Sequence, residues 1–347
     1  MQHRLYGPTT ETPRHELGDF ARRVAVVAII LGLAAVVWYT AKVLLIAFAG
    51  ALLAVFLDFL ACQLSATVRI RRGWAFAIVA VGISSLLGLA GWIGLPHVAD
   101  QISQLIRSLP QDLGQLQSYL SGREWGRTVM GFLPDMLASS NITSRLTTGA
   151  KDAFYGLAAL AVIGVLGLYL GGNPGFYEKG VLRLFPGQRR NTAREVLSEV
   201  AYALRWWVLG QLVPMGVLGL ATIIGLRLLH VRLAFTLGLF TGFMIFIPYI
   251  GSLIAYAVIA LVTSVQGFST VLYVTLMFVG IHVAEGYLLT PFVQRRAVYL
   301  PPALTIFGQV LLGALLGFVG LALATPLTAA AVVLVKMLYL REKPQHH

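Results

Sequence analysis

Apolar residues fill most of the chain in runs of about twenty, separated by short polar intervals, and that spacing predicts helices that cross a membrane. Strands of a membrane barrel would instead show short alternating segments, which this chain lacks. The runs Arg22–Thr40, Val43–Ala61 and Trp74–Leu95 predict the first three spans, with a turn at Ala41 and Lys42 that makes the first two a hairpin. Arg69, Arg71 and Arg72 fill the short loop before the third span, and Pro96 ends that span by removing a backbone donor. Arg14, Arg22 and Arg23 precede an apolar stretch, but Val24–Tyr39 is long and has no small-residue cleavage pattern, so it reads as a retained helix rather than a signal peptide.

Between Pro96 and Asp152 the pattern changes. Five basic and five acidic residues appear, and Val98, Ile102, Leu105, Leu109, Leu113, Leu116 and Leu120 recur at spacings of three and four. That periodicity predicts an amphipathic helix outside the membrane, bent near Pro110. Packing on the protein's own membrane domain, contact with another subunit and lying flat on the lipid are all open to it.

A fourth span, Phe154–Gly172, leads into a basic stretch that ends at Arg205, read as a loop, and a fifth span, Trp206–Leu229, contains Gln211 and Pro214. Next, Leu233–Val265 is apolar but broken at Ile247, Pro248, Tyr249, Ile250 and Gly251. Its first half, Leu233–Ile247, would be about 22 Å long against a hydrocarbon core of about 30 Å. This predicts a re-entrant hairpin, or two steeply placed helices, with the break at its tip. The seventh run, Val271–Thr290, stops at Pro291. The last, Ala303–Leu338, is too long for one helix and is interrupted by Gly313, Gly317 and Gly320 and then by Thr325 and Pro326.

The expected fold is therefore an all-α integral membrane protein of about eight hydrophobic segments, two of them interrupted as re-entrant hairpins, plus an extracytoplasmic amphipathic helix. It is organised as a tail (1–21), three helices (22–95), the outward segment (96–152), a transport region (153–338) and a second tail (339–347). Composition agrees: 58% of the 347 residues are hydrophobic and 12% charged, against roughly 25% charged in soluble domains.

The net charge of +12 would raise nucleic-acid binding in a soluble protein. Here the positive-inside rule explains it. With the amino terminus inside, 18 of the 26 Lys and Arg residues fall in cytoplasmic pieces, both termini are cytoplasmic, and 96–152 faces outward. The partners are then the lipid bilayer and a small polar solute or cation, with no nucleic acid. Cys62 is the single cysteine, which leaves no internal disulfide, redox pair or thiolate metal cluster, and no cofactor or metal is expected. Nor is there a nucleotide-binding loop or a metalloprotease motif, so transport rather than catalysis is the expectation.

Candidate chemistry is sparse and therefore informative. Glu285 is the only carboxylate between Glu199 and Glu342, and His282 stands one turn before it. A charged side chain near mid-bilayer costs roughly 2.5–3.5 kcal/mol on insertion scales, so it usually faces protein, water or a transported species. At a spacing of three the two share a helix face and could exchange a proton near neutral pH; a structural contact between helices is the plainer reading. Asp58, near the end of the second span, is a secondary candidate. Gln211 and Gln309 offer amides within apolar runs, for a solute or as glue between helices. At the breaks, Pro248, Tyr249, Gly251, Thr325 and Pro326 would leave backbone groups unpaired, which must face protein or a polar cavity. Glycine pairs at spacing four, Gly167 with Gly171, Gly238 with Gly242 and Gly313 with Gly317, allow close helix packing.

These residues also carry a family resemblance. Gly210 and Gln211, the run Phe246 to Gly251, Glu285 and Gly286, Thr290 and Pro291, Leu300 to Pro302, Gly317 to Gly320 and Ala324 to Pro326 stand in the order seen in the autoinducer-2 exporter family. The chain resembles that family over nearly its whole length. The resemblance implies a multispanning secondary transporter of the bacterial inner membrane, assembled as a homo-oligomer. It implies export of autoinducer-2 or a related small polar solute; some members resemble sodium or lithium/proton antiporters instead. The implied transport positions are Gln211, Pro248, Tyr249, Gly251, Glu285, Pro291, Pro302 and Pro326. Two departures stand out: Asp58 where many members have asparagine followed by proline, and Tyr287 where asparagine often follows the Glu-Gly pair. A membrane scaffold that transports nothing is the alternative from a different class.

Overall fold

A computed structural model of the chain describes residues 14–89, 91–92, 156, 158–264, 266–289 and 300–340. The segment 96–152 expected to face outward, Pro291, Arg295, Arg296 and the ends 1–13 and 341–347 lie outside the described residues. Every regular element among the described residues is a helix, as the hydrophobic pattern predicts. Two compact units are present, residues up to Leu45 and residues from Ile46 onward. In the first, residues 14–45 are helical and expose Val24, Val26, Val27, Ile29, Leu31 and Val36.

The first helix, α1 (Arg14–Val68), is continuous, so the turn expected at Ala41 and Lys42 is not formed. Neither residue breaks a helix. Both are among the stronger helix formers, and no glycine or proline stands between Gly32 and Gly50.

In the second unit, α1 ends at Val68 and α2 (Arg72–Leu89) begins after a loop of three residues, in which Arg69 takes a φ of 57°. Ser65 donates to the Ile70 carbonyl at 2.7 Å and Arg72 pairs with Asp58, so the tight turn is tied on both sides. Helix α3 (Ala158–Gly172) packs on α1 through small residues: a Cβ at Gly167 would lie 2.7 Å from Leu53, and one at Gly171 3.2 Å from the Ala54 carbonyl. Asn173 and Pro174 then turn the chain by 88° into α4 (Pro174–Arg183), because the residue before a proline is pushed out of the helical region.

After a 3₁₀ turn (Gly187–Arg189), α5 runs from Arg190 to Leu228 with Pro214 buried inside it. The basic stretch read as a loop is thus largely helical, in keeping with the good helix propensity of arginine and lysine. The first interrupted segment forms α6 (Ala234–Met244) and α7 (Ile250–Ser264), about 16 and 22 Å long and too short to span singly. Helix α6 returns along α5 at close range: a Cβ on Gly219 would lie 3.1 Å from the Gly242 Cα, and one on Gly242 2.9 Å from the Met215 carbonyl. Helix α8 (Phe268–Ala284) continues into a π-helix, Glu285–Leu289. A core of Leu226, Val231, Leu237, Ala255, Ile259, Val274 and Phe278 joins α5 to α8. Leu272, Leu276, Val279 and Val283 on α8 are exposed, as a lipid-facing side requires.

The second interrupted segment is α9 (Pro302–Val335), and it folds back on itself at Gly317, the one residue inside it with non-helical angles (φ 71°, ψ −153°). Gln309 bonds to Thr325 at 3.2 Å, whereas sixteen residues of straight helix would hold them about 24 Å apart. Thr325 and Pro326, expected at a break, lie inside the second arm. Gly317 takes the reversal because only glycine adopts its angles without a Cβ penalty.

By length and composition, five helices could each cross a bilayer: Trp38–Val68, Arg72–Leu89, Gly187–Leu228, Phe268–Leu288 and Pro302–Leu340. The bent pair α3–α4 makes a sixth if counted as one span. The last of the five is the folded α9.

Candidate functional site

The tip between α6 and α7 is where the polar chemistry collects. Helix α6 ends at Met244, and Pro248 has no N–H to continue it. The chain then reverses through a γ-turn in which Ile250 N–H reaches the Pro248 carbonyl at 2.7 Å and Tyr249 takes a φ of 63°. A non-glycine residue there is strained and persists only where its surroundings hold it. Gly251 completes the turn with its N–H on the Ile247 carbonyl at 2.9 Å. A side chain at this position is excluded, since its Cβ would sit 1.7 Å from the Met244 carbonyl.

Two glutamines hold the tip. From α5, Gln211 donates its Nε2 to the Ile245 carbonyl. From α9, Gln309 donates its Nε2 both to the Pro248 carbonyl, at 2.9 Å, and to Thr325 Oγ1, at 3.2 Å. Gln309 is fully buried and Thr325 4% exposed. Each stands eight residues from Gly317, about 12 Å along its arm, so the tip of the first hairpin meets the second near mid-arm. Gln309 Oε1 is buried and has no hydrogen-bond partner, and an unmet acceptor of this kind costs about 1–3 kcal/mol. It is the acceptor a solute hydroxyl, a water or a cation would satisfy.

The structure therefore gathers Gln211, Pro248, Tyr249, Gly251, Gln309 and Thr325 around one break, with Pro326 buried next to Thr325. His282 and Glu285 lie on another element. His282 Nδ1 donates to the Phe278 carbonyl at 3.0 Å, its ring stacks on Phe278 at 4.3 Å, and its Nε2 is buried without a partner. Glu285 is half-buried, opens the π-helix and interacts electrostatically with His282. Helices α5 to α8 alternate in direction, and Met277 lies against Gly225. Eight residues on, Glu285 falls near the level of residue 217 of α5, about 9 Å along the axis from Gln211. Asp58 is engaged elsewhere, in its pair with Arg72. Tyr287 is exposed, and Pro302 is the first residue of α9, where a missing N–H costs nothing.

Three features went unread in the sequence. The Ile245 carbonyl is the partner of Gln211, and nothing local marks it. Thr222 Oγ1 is buried without a partner. The Arg205 guanidinium lies 5.3 Å from the Phe59 ring centre, with its Nε buried and unpartnered; an arginine directly before Trp206 and Trp207 at the start of an apolar run is the signal that marks it.

Polar groups gathered at helix breaks inside an otherwise apolar helical body are an arrangement that membrane transporters use. The family is the AI-2E transporter family: its profile matches residues 27–339, and the chain belongs to it. Relatives include sll0060 of Synechocystis sp., named as a proposed transport protein, 26% identical over 55% of this chain and 59% of its own length. PerM of Escherichia coli, named as a proposed permease, is 27% identical over 75% of this chain and 79% of its own length. The AI-2 transport protein TqsA of E. coli is 27% identical over 78% of this chain and 80% of its own length. The chain spans 59% of sll0060 and only 56% and 65% of two further relatives, from Bacillus subtilis and Mycobacterium tuberculosis.

Proposed function

We propose that the protein is a secondary transporter of the bacterial inner membrane that exports a small polar solute, autoinducer-2 or a related signal or metabolite. The observation that carries this reading is Gln309: a fully buried amide that bridges the tip of one hairpin to both arms of the other and leaves its Oε1 unpaired. The tip carbonyls and Gln309 form the polar site, Gln211 steadies it, and Glu285 with His282 supplies the protonatable group that couples export to a proton gradient. The printed name of TqsA supports the choice of solute. Both termini are cytoplasmic, and the protein works as a homo-oligomer.

Monovalent cation/proton exchange is the second reading, favoured by the oxygens at the break, the Ile245 and Pro248 carbonyls and Gln309 Oε1, together with the Glu285 carboxylate that follows α8. Flux in proteoliposomes with and without a pH gradient tests both, for wild type and Glu285→Gln. Gradient-driven solute flux that the substitution abolishes supports export. Sodium or lithium flux with no solute flux supports the exchanger. A total absence of flux defeats both, and flux indifferent to the substitution removes Glu285 from the mechanism.

A further inference from the structure

Helix α4 turns 88° away from α3, so where α3 crosses the bilayer α4 runs along its surface. Its residues divide into three faces at about 100° per residue. Glu178 and Leu182 form the first: Leu182 is 4% exposed, and Arg194 Nε donates to Glu178 at 3.2 Å, which fixes this side against α5. Phe176, Tyr177, Val181 and Leu184 lie on roughly the opposite side, with Phe176 71% and Leu184 82% exposed. Lys179 and Arg183 form the edge between these two faces, and Arg189 follows one turn later.

The cations differ in their commitments. Arg194 is paired with Glu178, and Arg190 Nε is bonded to the Phe185 carbonyl at 3.1 Å. Lys179, Arg183 and Arg189 are exposed and form no ion pair with any described residue. A water-facing helix gains nothing by exposing phenylalanine and leucine opposite its packed side, and a helix inside the hydrocarbon would not carry a cationic edge. An apolar face flanked by long cationic side chains suits the boundary between headgroups and acyl chains, where the stems lie along the apolar surface and the charges reach phosphate.

We propose that α4 and the turn after it are a lipid-docking surface, which seats Phe176 and Leu184 below the headgroups and binds anionic phospholipid through Lys179, Arg183 and Arg189. The positive-inside count places this surface in the cytoplasmic leaflet, the anionic one. Because α4 leads directly into α5, which carries Gln211, lipid docking also anchors the element that steadies the transport site.

The test uses the full chain in nanodiscs of phosphatidylcholine with or without phosphatidylglycerol. In a Cys62→Ser background, a nitroxide on Phe176→Cys or Leu184→Cys is probed for collisions with oxygen and with a water-soluble nickel chelate. Oxygen-dominated collisions at a depth of about 5–10 Å are expected. Chelate-dominated collisions, or protection from both reagents as under a bound protein, would overturn the proposal. Spin-labelled lipid then reads the selectivity for phosphatidylglycerol over phosphatidylcholine. Neutralising Lys179, Arg183 and Arg189 together to glutamine is expected to reduce that selectivity at least tenfold, at roughly fivefold per charge. Unchanged selectivity in a folded triple variant contradicts the proposal. Neither arm depends on the transported solute.

Discussion

The two interrupted segments solve one problem by different means. Each doubles a short apolar helix back on itself, which frees backbone groups where there is no water to receive them. At Gly317 the reversal needs a single glycine in a left-handed conformation with open space around it. At Pro248 it needs a proline, a strained tyrosine, a glycine pressed against a carbonyl, and glutamine amides from two other helices. The plain hinge is architecture. The elaborate tip gathers polar groups deep in the apolar body, and the unmet acceptor of Gln309 stands there.

That contrast can be broken by substitution, with thermal unfolding of purified protein as the measurement. Gly251→Ala should be the most damaging, by about 3 kcal/mol or more, because its Cβ collides with backbone rather than with a side chain that can move. Gln309→Leu should cost about 2–3 kcal/mol, since it strips the Pro248 carbonyl and Thr325 of a donor inside the core. Gly317→Ala should cost about 1–3 kcal/mol, from backbone strain alone. Gln211→Leu, at a less buried position, should be mildest at about 1 kcal/mol. If Gly317→Ala proves as costly as Gly251→Ala, the two breaks are not of different kinds.

The break at Pro248 was legible because proline and glycine punctuate an apolar run that is otherwise too long for one arm and too short for two spans. The second break was legible only as a region. Three glycines and Thr325-Pro326 all qualified, and the choice of Gly317 rests on contacts such as Gly308 with Thr328 that pair residues twenty apart. The continuity of α1 was hidden for a similar reason: a run long enough for two spans reads as a hairpin unless helix propensity at Ala41 and Lys42 is weighed above length. Within the site, Gln211 and Gln309 stood out as amides in apolar runs. Their partners, 34 and 61 residues away, did not, because nothing in local spacing records which carbonyl a folded chain leaves free.

As proposed above, the tip held by Gln309 is the transport site and the Gly317 hinge is not. That assignment is tested most directly by solute flux in proteoliposomes of wild type, Gln309→Leu and Gly317→Ala, each normalised to folded protein. The account predicts that Gln309→Leu loses at least tenfold in flux, about 1.4 kcal/mol of barrier or more, while Gly317→Ala stays within about twofold. Equal flux in Gln309→Leu and wild type would contradict it.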